Sequence, residues 1–478
     1  MRRFLENYFF ALAADVVQRL SAALIVVWVS RQLGVKEAGV YFLAVSFATL
    51  FGRVSYWGLD QLLTRDVAMA PQRANQFAVN FLVVRALLAG LMTAILYAVV
   101  VLLGYAPYTS RVILLLGLTI LPDSLINICQ SVFMAHERMG YLAVSSLLNG
   151  SVRVVAGVLA LVSGLGLEGV AIGLLLASLS TLALLAYLIR TRLFRPAWKI
   201  DWAFSRRQLR AGLPFLLIGM FFILENQLDV ILLSRMRDEH QVGLYGAAST
   251  VVSALLLVPF AFQTAVFPVM SRLYATAPAA LDRLHVQSLK YLLLAGLPVA
   301  VGVTILGLDI VTLAFGREFA ASAPVLQILV WSLFLIFVNI PNARLLVVSD
   351  RQRVIAAILL TTLTINVVLN VLLIPRWGAA GSAVARVIST SVLFAVIAQY
   401  VLRHVHRFNP LPLLPRPALA AAAMLAGLVV LRDQPLWVSV LAGALIYLAA
   451  LASLRTFSRE DLLLWREITA HQPAGIDV

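Results

Sequence analysis

The chain has 478 residues, of which 62% are hydrophobic and only 12% charged, and it carries a net charge of +15. A soluble domain holds about 45–50% apolar and about 25% charged residues, so this composition excludes a water-soluble globule, a coiled coil and a disordered chain. The single cysteine, Cys129, lies in an apolar stretch, which rules out a disulfide within the chain and a cysteine-based metal site.

A membrane-spanning helix needs about 20 mostly apolar residues. Fourteen segments meet that requirement, at 8–31, 38–59, 77–104, 110–134, 141–163, 167–189, 208–234, 243–270, 286–308, 324–348, 354–374, 379–402, 416–431 and 436–454. The start, Met1-Arg2-Arg3, has the look of a signal sequence, but Glu6 and Asn7 interrupt its short apolar core, which predicts a retained first span. The longest linker follows the sixth segment. The predicted organisation is therefore an N-terminal six-helix lobe over 1–190, a basic cytoplasmic linker over 191–210, a C-terminal six-helix lobe over 211–402, and two additional helices with a tail over 403–478.

Numbering each loop by the span it follows, Lys and Arg favour the termini and the even-numbered loops over the odd ones by nearly three to one. That bias orients spans during insertion and predicts cytoplasmic N- and C-termini. It also accounts for the positive charge without a nucleic-acid partner.

The chain repeats itself. Ser30-Arg31 precedes Gly39-Val40-Tyr41 as Ser234-Arg235 precedes Gly243-Leu244-Tyr245, at a constant offset of 204 residues, with Ala44 and Ala248 in the same register. Gly166 and Gly169 match Gly378 and Gly381 at an offset of 212. Spans 1–6 thus resemble spans 7–12, and an even number of spans per copy gives both the same orientation, related by a pseudo-twofold along the membrane normal.

Six arginines fall inside spans: Arg19, Arg53, Arg85, Arg153, Arg344 and Arg386. Each costs roughly 2.5–3.5 kcal/mol at the bilayer centre, tolerable only beside an acid or a hydrated cavity. The acids within spans are Asp15, Asp123, Glu225 and Asp229. Arg344 and Arg386 lie nearer span ends, where a long side chain can snorkel. Guanidinium is a permanently charged fork suited to phosphate, so Arg19, Arg53, Arg153 and Arg85 are the candidate substrate-binding residues of a cavity suited to a diphosphate. Asp15 and Arg19 sit one turn apart and can equally form a local ion pair.

Glu225 and Asp229 share a face of the seventh span. Together with Asp15 and Asp123 they are the candidates for coupling, by holding a proton or sodium ion, or else they neutralise arginines across the bundle. Asn339, Asn342, Asn366 and Asn370 are expected to make helix-to-helix hydrogen bonds. Pro122, Pro214, Pro259, Pro268 and Pro341 are candidate kinks. The six histidines fall in connections or the tail, His404 and His406 forming a solvated patch, and none has ligand spacing. With no phosphate loop and no catalytic grouping, the expectation is a transporter without cofactor rather than an enzyme.

Several short stretches carry a family likeness: Leu33-Gly34 with Ala38-Gly39-Val40-Tyr41, Gly58-Leu59-Asp60 with Arg65-Asp66, Gly212-Leu213-Pro214, and Gln227-Leu228-Asp229. Further on come Val242-Gly243-Leu244-Tyr245, Glu318-Phe319 with Ala323-Pro324-Val325-Leu326, and Ile374-Pro375-Arg376-Trp377-Gly378-Ala379-Ala380-Gly381. In these the chain resembles the Wzx-like polysaccharide flippases of the multidrug/oligosaccharidyl-lipid/polysaccharide exporter superfamily. The resemblance implies an all-α integral membrane protein of about 14 helices, two six-helix bundles in a V plus two C-terminal helices. It implies a polyprenyl (undecaprenyl) diphosphate-linked oligosaccharide as substrate, carried across the cytoplasmic (inner) membrane for O-antigen, capsule, lipopolysaccharide or exopolysaccharide assembly. It also implies basic residues on early helices facing the central cavity, a role whose positions Arg19 and Arg53 match, and a polymerase or ligase of the glycan pathway as partner. Two other readings stay open, a cation-coupled multidrug or small-molecule antiporter and a non-transporting scaffold of a glycan-synthesis complex.

Overall fold

The computed structural model describes residues 2–405 and 408–456. His406, Arg407 and the tail that holds Arg459, Arg466 and His471 lie outside the described residues.

Fifteen α-helices follow one another among the described residues: α1 (Arg2–Tyr56), α2 (Leu59–Met69), α3 (Ala74–Leu103), α4 (Pro107–Gly117), α5 (Ile120–Ala135), α6 (Gly140–Val162), α7 (Gly166–Arg192), α8 (Trp202–Met236), α9 (Glu239–Leu255), α10 (Leu257–Thr276), α11 (Pro278–Phe315), α12 (Ala323–Val348), α13 (Gln352–His404), α14 (Pro415–Val430) and α15 (Leu436–Ser453). Eleven helical stretches are long and apolar enough to cross a membrane, or twelve if the bent α8 is one span.

Two of those stretches each hold two predicted spans. The 55 residues of α1 would run to about 80 Å at 1.5 Å per residue, far beyond a hydrocarbon layer of about 30 Å. Gly34 breaks α1 with φ 80° and ψ −176°, and Gly378 breaks the 53-residue α13 with φ 54° and ψ −130°. Only glycine enters that backbone region without strain. With each broken helix counted as two spans, the fourteen predicted segments all fall on helices. Pro214 lies inside α8, but the 46° bend of that helix comes later, between Phe221 and Ile223.

Two compact units form. The first runs to Gly246 and takes in Ala314–Phe319 and Asn370–Ala379; the second comprises Ala247–Leu313, Ala320–Leu369 and the described chain from Ala380 onward.

In the first unit small residues let helices touch. A side chain on Gly150 would meet Val17 and Ser21, one on Gly157 would meet Ile25, and one on Gly173 would meet Ala156, so α1, α6 and α7 pack backbone to backbone as membrane helices do. Leu59, Leu63, Phe77, Phe81 and Val132 form its core with Phe204, whose ring lies 4.9 Å from that of Phe77. In the second unit α14 and α15 pack on α11 through Met424, Leu428 and Tyr447, whose hydroxyl donates to the Leu294 carbonyl at 3.0 Å.

Candidate functional site

The first unit holds a polar cluster at the end of α1. The helix stops at Tyr56 because Trp57 and Gly58 both adopt positive φ, 47° and 67°. The turn is pinned by the Trp57 indole, which donates to the Leu209 carbonyl at 2.9 Å. Reversal of the chain there places Asp60, in the first turn of α2, against Arg85 of α3. Arg85 Nη2 donates to Asp60 Oδ1 at 3.1 Å. The arginine side chain is 0% exposed and the aspartate 29%.

Tyr56 joins the pair to a second cation. The Arg85 guanidinium carbon lies 4.9 Å from the Tyr56 ring centroid and that of Arg53, one turn earlier on the same helix, 5.6 Å. Both distances suit attraction to the negative ring face. Asn127 of α5 donates to the Tyr56 hydroxyl at 3.1 Å and to its own helix at the Asp123 carbonyl. Arg53 has no carboxylate within ion-pair distance among the described residues. Arg85 spends only part of its five-donor fork, since its Nε and Nη1 are buried without a hydrogen-bond partner.

A neighbouring group continues the polar path. Asp123 accepts from Ser178 of α7 at 2.6 Å, and the Arg153 guanidinium of α6 acts electrostatically on both Asp123 and Tyr41. Arg153 Nε is likewise buried and unpaired. Three cations, Arg53, Arg85 and Arg153, therefore share two carboxylates, Asp60 and Asp123.

The other candidates lie apart. Arg19 donates to Asp15 at 2.7 Å, with both side chains about half exposed, so the local pair that their spacing allows is formed. Asp229 is 1% exposed and has both oxygens engaged, Oδ2 by the Tyr245 hydroxyl at 2.7 Å and Oδ1 by the Asn370 amide at 2.9 Å. Glu225, one turn earlier, is half-buried. In the second unit Arg344 lies over the Phe267 ring at 5.4 Å, and Asn366 donates to Ser389 at 3.3 Å, as expected of a helix-to-helix contact.

Two placements depart from the sequence reading. Arg85, grouped above with cavity-facing cations, has no accessible surface here, because Asp60 and Tyr56 enclose it. His285, taken as a connection residue, lies inside α11, fully buried, with Nε2 3.1 Å from Asn342 Oδ1. Asp60 and Tyr56 were not among the candidates. Neither is at helical spacing from Arg85, and only the reversal at Trp57 and Gly58 brings them to it.

Comparison with known proteins gives the family. The model described as "Polysaccharide biosynthesis protein" matches residues 4–274, and that described as "MatE" matches residues 214–372. A probable low-salt glycan biosynthesis flippase of Haloferax volcanii is 24% identical over 379 residues, 78% of each chain. A probable flippase of the same organism is 28% identical over 247 residues, 49% of this chain and 51% of its own. Among solved structures, the lipid II flippase MurJ in an inward closed conformation superposes with TM-score 0.78 at 16% identity, covering 94% of this chain and 98% of its own. An inward-facing multidrug resistance MATE family transporter of the MOP superfamily gives TM-score 0.67 at 14% identity, covering 82% and 97%. At such identities the structures speak for the fold alone, an all-α arrangement of many helices long and apolar enough to cross a membrane. With more than half of its length matched by the first model, the chain belongs to the polysaccharide biosynthesis protein family.

Proposed function

We propose that this protein is a flippase that carries a polyprenyl diphosphate-linked oligosaccharide across the cytoplasmic membrane by alternating access. The observation that carries this reading is the charge balance of the cluster around Tyr56 and Asp123, three arginines to two aspartates, in a chain whose relatives include a glycan biosynthesis flippase matched over 78% of its length. A net cation retained at cost in a membrane interior suits an anionic cargo. Arg53, half-buried and without a carboxylate, is the group available to a diphosphate. Arg85 is a positioning residue: its pairing with Asp60 holds Tyr56, and Tyr56 holds Arg53. Arg19 and Arg153 are further candidate contacts.

The basic bias of the even loops supports cytoplasmic termini, so the headgroup is loaded from the cytoplasmic leaflet while the tail stays in lipid. Undecaprenol as the carrier, and O-antigen, capsule or exopolysaccharide as the product, follow from the family resemblance, as does a polymerase or ligase acting next. Coupling to protons or sodium falls to Asp15, Asp123, Glu225 or Asp229. Both oxygens of Asp229 accept from fixed donors, the Tyr245 hydroxyl and the Asn370 amide.

The match of residues 214–372 to the MatE model favours a second reading, a cation-coupled antiporter of small molecules. Proteoliposomes separate the two. A fluorescent polyprenyl diphosphate oligosaccharide should become protected from an impermeant quencher, Arg53→Ala should slow this at least tenfold and Arg53→Lys less, and a cationic dye should not move. Dye transport with no lipid translocation would replace the flippase reading by the antiporter.

A further inference from the structure

We infer that Arg31 and Arg235 are paired gating residues that latch the odd-loop end of the first unit shut, and that transport requires both to release. This goes beyond the substrate reading but rests on it for the direction of transport. The two arginines occupy the same place in the two sequence repeats, 204 residues apart. Each one bonds the end of a helix from the other repeat. Arg31 Nε, in the first repeat, donates to the Ala314 carbonyl at the end of α11 at 3.0 Å. Arg235 Nη1, in the second, donates to the Leu103 carbonyl at the end of α3 at 2.6 Å.

Both recipient helices stop in the same way, at a glycine of positive φ, Gly104 at 64° and Gly316 at 104°. The last carbonyls of a helix lack an internal partner and carry partial negative charge, so a guanidinium is the natural cap.

The backbones behind the latches are reciprocal too. A side chain on Gly39 would collide with the Glu239 carbonyl oxygen, and one on Gly243 with the Val35 carbonyl oxygen. Val35 and Glu239 are themselves 204 residues apart. A contact in which residue i meets j and the mate of j meets the mate of i is what a twofold axis passing through it produces. The axis inferred from the sequence repeat therefore runs between Gly39 and Gly243. Around it the closure is continued by Tyr105 with Ser234 at 2.9 Å and by Thr109, which donates to Glu239 at 3.2 Å. Arg237 donates to the Ile374 and Pro375 carbonyls beside the Gly378 break.

The chemistry suits a contact that must open. Both latch arginines are exposed and bind backbone carbonyls, so water can replace either bond when the ends part. No charge is then stranded in an apolar interior, as it would be if Arg85 left Asp60.

The test reads the gate without substrate. Ser30 is 2% exposed with its hydroxyl unpartnered, so Ser30→Cys is a mild reporter of opening, and Cys129 is itself buried. In intact cells an impermeant maleimide should label the Ser30→Cys thiol slowly in the otherwise unaltered chain and at least tenfold faster when Arg31→Ala and Arg235→Ala are combined. Arg31→Lys with Arg235→Lys should fall between. Gly39→Ala, which blocks the crossing without touching a charge, should give the same rise. Labelling that does not move in the double alanine variant and in Gly39→Ala, with both proteins present in the membrane at normal level, overturns the gate whatever the transport assay shows. Faster labelling combined with no translocation of a lipid-linked oligosaccharide by the unaltered protein would leave the gate standing and overturn the flippase reading alone.

Discussion

Two of the Arg–Asp pairs in the first unit have identical chemistry in opposite settings. Arg19 and Asp15 meet at 2.7 Å with both side chains about half exposed, whereas Arg85 and Asp60 meet at 3.1 Å with the arginine entirely enclosed. The shorter pair is the weaker contributor to stability. Exposed pairs are worth about 0–1 kcal/mol because the medium already solvates both charges. Breaking a buried pair costs about 3–5 kcal/mol, mostly because the remaining charge is left uncompensated. Arg85 is thus held by necessity and Arg19 by convenience, which leaves Arg19 free to exchange its carboxylate for another anion.

Asp60→Ala should sharpen this contrast most, with a loss of about 3–5 kcal/mol seen as a large drop in unfolding temperature in detergent or as loss of membrane-inserted protein. Replacing both partners, Asp60→Leu with Arg85→Met, should restore most of the stability while still lowering transport, since Tyr56 and Arg53 lose their anchor. A single Asp60→Ala that unfolds like the parent would break the comparison.

Asp229→Ala should come next, at about 1.5–3 kcal/mol, because it removes an acceptor from the Tyr245 hydroxyl and from the Asn370 amide in a buried site. Asp229→Asn should cost less, since it keeps one acceptor oxygen; thermal unfolding of the two variants side by side gives the ranking. Tyr56→Phe should cost about 1 kcal/mol, removing the acceptor of the Asn127 amide but keeping the ring on which both guanidinium groups lie. Its translocation rate should fall less than that of Arg53→Ala.

The smallest expected change in stability is that of Arg19→Ala or Asp15→Ala, within about 1 kcal/mol by the same unfolding measurement. Translocation decides their role: full activity in Arg19→Ala removes it from the substrate path, and a tenfold loss at unchanged stability places it there.

Much of this was legible in the sequence, for a local reason. A spanning segment is recognised by about 20 contiguous apolar residues, so the apolar segments read from hydropathy all fall on helices, whereas the short α2 lies almost wholly outside them. The Arg19–Asp15 pair was legible because partners one turn apart share a helix face. The repeat at offset 204 was legible as well, and the close approaches at Gly39 and Gly243 keep that offset. The breaks at Gly34 and Gly378 were not foreseen in form, for a glycine in an apolar run can continue a helix or end it, and the choice is made by what the next helix must reach.

Sequence by itself determined the class of molecule, the number and order of apolar segments and the pairs within one helical turn, because each depends on neighbours along the chain. Tertiary structure alone decided that Arg85 finds Asp60 across a strained turn, that Tyr56 carries two cations, that Asp229 is closed in by Tyr245 and Asn370, and that two arginines cap each other's partner helices. Apart from Arg53 with Tyr56, one turn apart on α1, those contacts join residues from 16 to 283 positions apart. What selects them is the cost of leaving a charge or a helix end unpaired in a medium that solvates neither, and that cost is settled only when the chain has packed.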